Sequence, residues 1–379
     1  MQEARKRAEN AAQRCADMLI SPALNGSAQT AGQTERRTLM IQRIGENTLH
    51  LENGPCLLSW ASVAGKKESE GPLGGYFDVC HEDTTLGDKS WEQAESHLQG
   101  ESINVALQKA SLQPEDMDFV FAGDLLNQCI SSTFGLRDLQ IPFLGQYGAC
   151  STMAQALGMA SVFVESGAAR RAAAVTSSHF CSAERQFRLP LEYGGQRPPT
   201  SQWTATASGS VLLGKEGRGP IRVREVSFGR ITDLGISDAN NMGAAMAPAA
   251  ASTITGYLRD TGASPDDFDL ILTGDLGRVG SDLLYALLEK EDIRIRAKHN
   301  DGGLMLYDRK QQDVHAGASG CGCSASVLCS VVLKRMEEQK LKKVLFVATG
   351  ALMSPTSSQQ GESIPGIAHL IFLESGTDG

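Results

Sequence analysis

One cysteine sits where a thiol can do chemistry. Gly145-Gln-Tyr-Gly-Ala-Cys-Ser-Thr152 runs straight into Met153–Glu165, a stretch that is small or apolar on nearly every side. Such a stretch reads as a fully buried helix, with Cys150 at its start. A helix N-terminus presents unpaired N–H groups and the positive end of the dipole, which favour a thiolate or another anion. Small residues ahead of the cysteine let a substrate approach the sulfur. The chemistry in view is nucleophilic attack by sulfur or capture of an anion. The competing reading is an inert buried thiol, the common fate of cysteine.

The other reactive patterns are weaker. Cys321, Cys323 and Cys329, with His315, form an incomplete zinc pattern, because two cysteines one residue apart lack a second pair. They read instead as small residues at the entrance of a second buried helix, and no metal is expected. Gly71–Gly75 and Gly317–Gly322 lack the Gly-Lys-Ser/Thr ending of a phosphate loop, so no nucleotide cofactor is expected either. Nine cysteines in 379 residues is a sparse, odd set, suited to a reducing compartment with free thiols.

The elements that must position Cys150 follow from the hydrophobic pattern. Short apolar runs predict strands at Asp118–Gly123, Ala172–Thr176, Gly209–Leu213, Ile221–Phe228, Asp269–Thr273, Lys343–Thr349 and Ile367–Leu373. Helical periodicity predicts helices at Glu92–Ala110, Thr152–Ser166, Pro248–Arg259, Ser281–Lys290 and Ser324–Gln339. Strands alternating with helices argue for an α/β fold. Pro248 suits a helix start through its fixed φ.

An internal repeat organises these elements. Pro114-Glu-Asp-Met-Asp-Phe-Val-Phe-Ala-Gly-Asp-Leu125 returns as Pro265-Asp-Asp-Phe-Asp-Leu-Ile-Leu-Thr-Gly-Asp-Leu276. Ala149-Cys-Ser151 returns as Gly322-Cys-Ser324, and Val175-Thr176 as Ala348-Thr349. The second copy is longer between its first strand and its cysteine helix, and that insert holds Lys298-His-Asn-Asp301. The expected organisation is a mobile N-terminal extension over residues 1–38, a first half over 39–230 and a second over 231–379.

Composition narrows the function. Apolar residues make up 41%, enough for a large core, and the formal charge is −9. That balance disfavours nucleic acid, whose binders carry a net basic surface. No apolar run is long enough to span a membrane, and no secretory signal is legible. Forty glycines, against average usage of about 7%, point to tight turns and close backbone approach.

A cysteine opening a buried helix in the first of two duplicated α/β halves resembles the thiolase and β-ketoacyl synthase superfamily. Thr206-Ala-Ser-Gly-Ser-Val-Leu-Leu213 is similar to the small-residue strand that closes the first half there. The resemblance implies a thiolase-like, duplicated αβαβα five-layer fold, and a homodimer paired through the first half. A closer resemblance, from about residue 43 to the end, is to the stage V sporulation protein AD family. It rests on Glu70-Gly-Pro-Leu-Gly74, Ala122-Gly-Asp-Leu-Leu-Asn127, Ala183-Glu-Arg-Gln-Phe-Arg188, Glu192-Tyr-Gly-Gly195, Met246-Ala-Pro-Ala-Ala-Ala251, Lys298-His-Asn-Asp301 and Glu362-Ser-Ile-Pro365. It implies a role in bringing dipicolinic acid (pyridine-2,6-dicarboxylate), free or as its calcium chelate, into the developing spore. The chain would then be soluble or peripheral at the spore inner membrane and would work with the other stage V sporulation A-operon membrane proteins.

Condensing enzymes of the superfamily place a histidine and an asparagine near the thiol to stabilise an enolate. Carried over by the repeat, those positions fall on Gly274 or Asp275 and near Cys321, none of which polarises a thioester carbonyl as imidazole or amide does. The expectation is therefore a binding protein without catalysis. The alternative is an acyltransferase with Cys150 as nucleophile and His299 as partner. A dicarboxylate needs local cations, and the candidates are His179, Arg185, Arg188, Lys298 and His299. Asn127 is a candidate donor to a ligand oxygen. Asp124 is a further candidate; it and Asp275 end equivalent strands, where a helix-capping or turn role competes.

Overall fold

The computed structural model describes residues 40–187, 197–215 and 219–376. The expected extension over 1–38 and the candidate Arg188 lie outside the described residues. The first repeat comprises β1 (Cys56–Ala64), α1 (Trp91–Ala110), β2 (Phe119–Gly123), α2 (Ile130–Leu136), β3 (Phe143–Gly145), α3 (Thr152–Glu165), β4 (Arg171–Ser178), α4 (Phe180–Phe187) and β5 (Ala207–Gly214). The second comprises β6 (Ile221–Phe228), which precedes the expected boundary after residue 230 but is the topological counterpart of β1, then α5 (Met242–Thr261), β7 (Leu270–Thr273), α6 (Gly277–Glu289), β8 (His299–Asp301), α7 (Cys321–Val327), β9 (Lys343–Ala351) and β10 (Gly366–Ser375).

The strands lie in the order β8-β7-β9-β10-β6-β1-β5-β4-β2-β3. Read outward from the middle, one side runs β1-β5-β4-β2-β3 and the other β6-β10-β9-β7-β8. The duplication in sequence is thus a duplication in topology. In each copy the outer three strands are parallel, and the next joins antiparallel. The two half-sheets meet at a single residue pair, Arg222 with Cys56. A hairpin of Ile41–Ile44 and Thr48–Leu51 lies along β6.

Layering follows from which faces are apolar. α3 packs on β2 and β4 of its own half and on β9 and β10 of the other, while α7 packs on β4 and β5. These two helices form the central layer and are sheathed on both sides, which is why α3 has no polar face. α1 covers the outer face of β1, β4 and β5; α5, with α6 beside it, covers β9 and β10. The result is helix, sheet, helix, sheet, helix.

Alternation along each strand divides the core. Val211 and Leu213 point to the central layer, and Leu212 points outward to Ile103 and Leu107. On β9, Val344, Phe346 and Ala348 face the centre, whereas Leu345 and Val347 face α5. Strands buried on both faces read as continuous apolar runs, and those were legible. Close approach of α7 to β5 depends on Gly209, where an added Cβ would sit 2.6 Å from the Ala325 backbone.

Every strand and helix expected from the sequence is present, Ile221–Phe228 with the expected ends and the others with one or both ends shifted. Two expectations are corrected. α5 begins at Met242 and carries Pro248 inside it, because burial of Met242, Gly243, Ala245 and Met246 extends the helix nearly two turns ahead of where proline would start it. The last expected helix is α7, a π-helical turn over Leu328–Val332, and Leu333–Glu337. No helix among the described residues is long and apolar enough to cross a membrane.

Candidate functional site

Cys150 lies two residues ahead of the first helical residue of α3, after Ala149 in a left-handed conformation at φ 50°. A β-carbon in that region is strained, and the bend turns the thiol toward the second repeat. The sulfur is 3.7 Å from Ser319 Oγ. Ser319 in turn donates to Asp275 Oδ2 (3.0 Å), which also accepts from the Gly320 N–H (2.9 Å). Thr349 Oγ1 donates to the other oxygen at 2.9 Å. Gln202 Nε2 ties down the carbonyls of Asp275 (2.6 Å) and Ala318 (2.8 Å). Gly320 holds φ at 106°, a conformation glycine permits, and so aims its N–H at the carboxyl.

This setting reverses the expected electrostatics of the thiol. Burial, then the nearby Asp275 carboxyl, pushes Cys150 well above the usual thiol range. Burial also raises Asp275, with its hydrogen bonds opposing the shift. A dry site and a like-charged neighbour outweigh the helix terminus, so Cys150 is held as a neutral thiol. Cys321 and Cys323 at the start of α7 are raised by burial in the same way.

The thiol opens on a cavity of about 40 Å³ lined by Leu125, Tyr147, Cys150, Phe187, Met242 and Met353, among others. That is room for a few waters. Apolar side chains dominate the wall, and Glu184, Thr204 and Ser319 supply polar atoms. No histidine lines the cavity or bonds to the thiol among the described residues. No three His, Cys, Asp or Glu side chains among them converge as metal ligands.

The other candidates are distributed around this site. Asp124 is buried beside Leu125 and accepts from the Leu126 N–H and from the Ser132 N–H and hydroxyl, so it pins the turn into α2. Asn127 is exposed, its N–H bonded to Gln186. His179 is buried; its Nε2 is 2.7 Å from the Thr84 carbonyl and its Nδ1 accepts from the Cys181 N–H. Desolvation lowers its pKa, which keeps the ring neutral. Arg185 is on α4, paired with Glu92 and lying over Trp91.

His299 and Lys298 lie at β8, the outer edge of the second half-sheet. His299 sits between Thr273 Oγ1 and Tyr285 Oη, each at 2.8 Å, and burial pulls it down to about 4. Lys298 precedes the strand, close enough to Asp269 to lower that carboxyl further. Asp301 accepts from Thr273, Leu276 and Gly277 and so fixes the start of α6. The structure therefore brings Cys150 together with Asp275, Ser319 and Gly320, and places His299 and Lys298 in another neighbourhood. Two signals pointed to Asp275, the equivalence of Gly123-Asp124 with Gly274-Asp275 and the carried-over histidine position; Thr349 stood out only through the repeat, and a single hydroxyl such as Ser319 carries no signal.

The family model for stage V sporulation protein AD matches residues 45–374. The protein of that name from Bacillus subtilis (strain 168) is 47% identical over 330 residues, covering 87% of this chain and 97% of that one. Among solved structures, 3-oxoacyl-[acyl-carrier-protein] synthase III from Aquifex aeolicus VF5 aligns with a TM-score of 0.53 at 14% identity, over 85% of this chain and 100% of its own. An OleA from Xanthomonas campestris aligns at 0.54 and 13% identity, over 88% of this chain and 99% of its own. At these identities the likeness is one of fold, and that fold is thiolase-like. The chain belongs to the stage V sporulation protein AD family.

Proposed function

We propose that this protein binds dipicolinic acid in the pocket at Cys150, without acyl transfer, and assists its uptake into the developing spore. The observation that carries the reading is the pairing of Cys150 with Asp275. An acyl-transfer thiol needs a base or an adjacent cation to form its thiolate; this one faces a buried carboxyl that opposes it. A dry cleft lined by Phe187, Met242 and Met353 suits an aromatic ring. Those side chains must swing aside, because the cavity at about 40 Å³ is smaller than the ligand.

Arg185 and Arg188 flank Phe187 in sequence, and we assign them the ligand carboxylates, with Arg185 exchanging Glu92 for the ligand. Since no described helix can cross a membrane, uptake calls for membrane-embedded partners, the other products of the stage V sporulation A operon. A homodimer paired along β3 fits its position at the sheet edge, with Phe143, Tyr147 and Phe134 exposed nearby. Calorimetric titration tests the ligand assignment. Wild type is expected to bind dipicolinate saturably, and folded Cys150→Trp to lose it. No heat at about 1 mM ligand, a weak-binding threshold, overturns the reading.

A further inference from the structure

Trp203 begins the short strand Trp203–Thr204, which pairs with Ala318–Ser319. Thr204 and Ser319 line the Cys150 cavity. Successive strand residues point to opposite faces, so Trp203 points away from it. Its indole stacks on Phe180, with centroids 3.7 Å apart and planes 7° from parallel. A phenyl ring that close fills one face. The two cations over the indole must therefore share the other: Lys67 Nζ, 3.9 Å from the ring centroid, and Arg197 Cζ, 4.6 Å from it.

The negative charge around this pair is insufficient. Arg197 Nη2 donates to the carboxylate (2.6 Å) and carbonyl (3.1 Å) of Asp313. Asp313 is largely exposed and is shared with His315 at 2.9 Å. Glu68, beside Lys67 in sequence, turns into the core, where it accepts from Tyr307 and from the Thr206 N–H. Glu70 acts on Lys67 only through space. Arg197 Nη1 is buried and has no acceptor among the described residues. The Lys67 ammonium has the indole face as its contact and no hydrogen bond or ion pair among the described residues. A buried, unmatched guanidinium donor beside a second cation is costly to maintain unless an acceptor arrives.

We propose that Lys67, Arg197 and Trp203 form a second site, distinct from the Cys150 pocket, for a small oxyanion: the carboxylate or phosphate group of a compact ligand. One ligand oxygen accepts from Lys67 Nζ and another from Arg197, whose guanidinium turns to bring Nη1 out of its buried position, with the indole as the floor. Guanidinium and ammonium donors suit both groups.

Trp203 is its own reporter. The full chain is titrated with sodium phosphate and, separately, sodium acetate, at constant ionic strength against sodium chloride. The expected result is a saturable change in tryptophan emission with one or both oxyanions, beyond the chloride response. Phosphate alone or acetate alone names the group. Trp203→Phe should lose the signal, which assigns the emission change to this indole; an undiminished response in that variant overturns the assignment to this site. Lys67→Met and Arg197→Met should each weaken binding about tenfold or more, the loss of one good charged contact. Should Arg197→Met misfold, half-buried Lys67→Met decides alone. Responses no different from chloride, or unchanged binding in folded Lys67→Met, overturn the proposal. Cys150→Trp should keep oxyanion binding while losing dipicolinate, so either assignment can fail without the other.

Discussion

Cys150 and Asp275 share a dry pocket, and their proximity sets what the thiol can do. A thiolate there would lie beside a carboxyl already bonded to Ser319, Gly320 and Thr349, so the neutral form wins. Alkylation by iodoacetamide, followed by mass spectrometry of the Cys150 peptide, should be slow near neutral pH and rise only in alkali. Asp275→Asn removes the opposing charge, lowers the thiol pKa and should speed alkylation at fixed pH by about tenfold, one pKa unit. An unchanged rate in the folded variant would show that Asp275 does not govern the thiol. Cys150 was legible because it opens a nearly all-apolar helix after a run of small residues and recurs at the matching place in the second repeat. The sign of its shift was not, because Asp275 reaches it from the other repeat, across the long sequence separation that folding closes.

At the scale of elements, the strands buried on both faces and the long helices announced themselves, whereas β3 and β8 are three residues each and too short for any periodicity. Lys298-His-Asn-Asp301 stood out as a motif, but no sequence pattern tells which end of a strand faces the thiol. The contact of α7 with β5 is a tight one, and Gly209→Ala forces either backbone to move. Overpacking of this kind costs about 1–3 kcal/mol, so chemical denaturation should show a lower midpoint; an unchanged midpoint would mean the layers have slack. At the sheet edge, Phe143→Asp puts a charge on the strand proposed to pair two copies. Light scattering should then report a monomer where wild type is a dimer, and a dimeric variant would move the interface elsewhere.

Over the whole molecule, the duplication was the most legible feature, since Gly-Asp strand ends and two cysteine helices recur in order. Its consequence, two half-sheets joined at one residue pair with both cysteine helices between them, rests on long-range packing that no local sequence pattern encodes. Global stability should also carry the mark of His369, buried on β10, whose Nδ1 accepts from the Gly229 N–H. Burial pulls it from 6.5 down to about 4. The unfolded chain therefore binds more protons between those values, and stability falls as pH drops through that window, by up to about 3 kcal/mol. His369→Asn should flatten that limb of the unfolding profile; an identical slope would assign the acid lability to other groups. The most direct measurement for the central claim is a crystal structure of the protein with dipicolinate. The predicted result is ligand density against the Cys150 thiol, with Phe187 or Met353 displaced and an arginine on a carboxylate. Density only at the Lys67 and Arg197 face, or an acylated Cys150 after incubation with acyl-CoA, would contradict it.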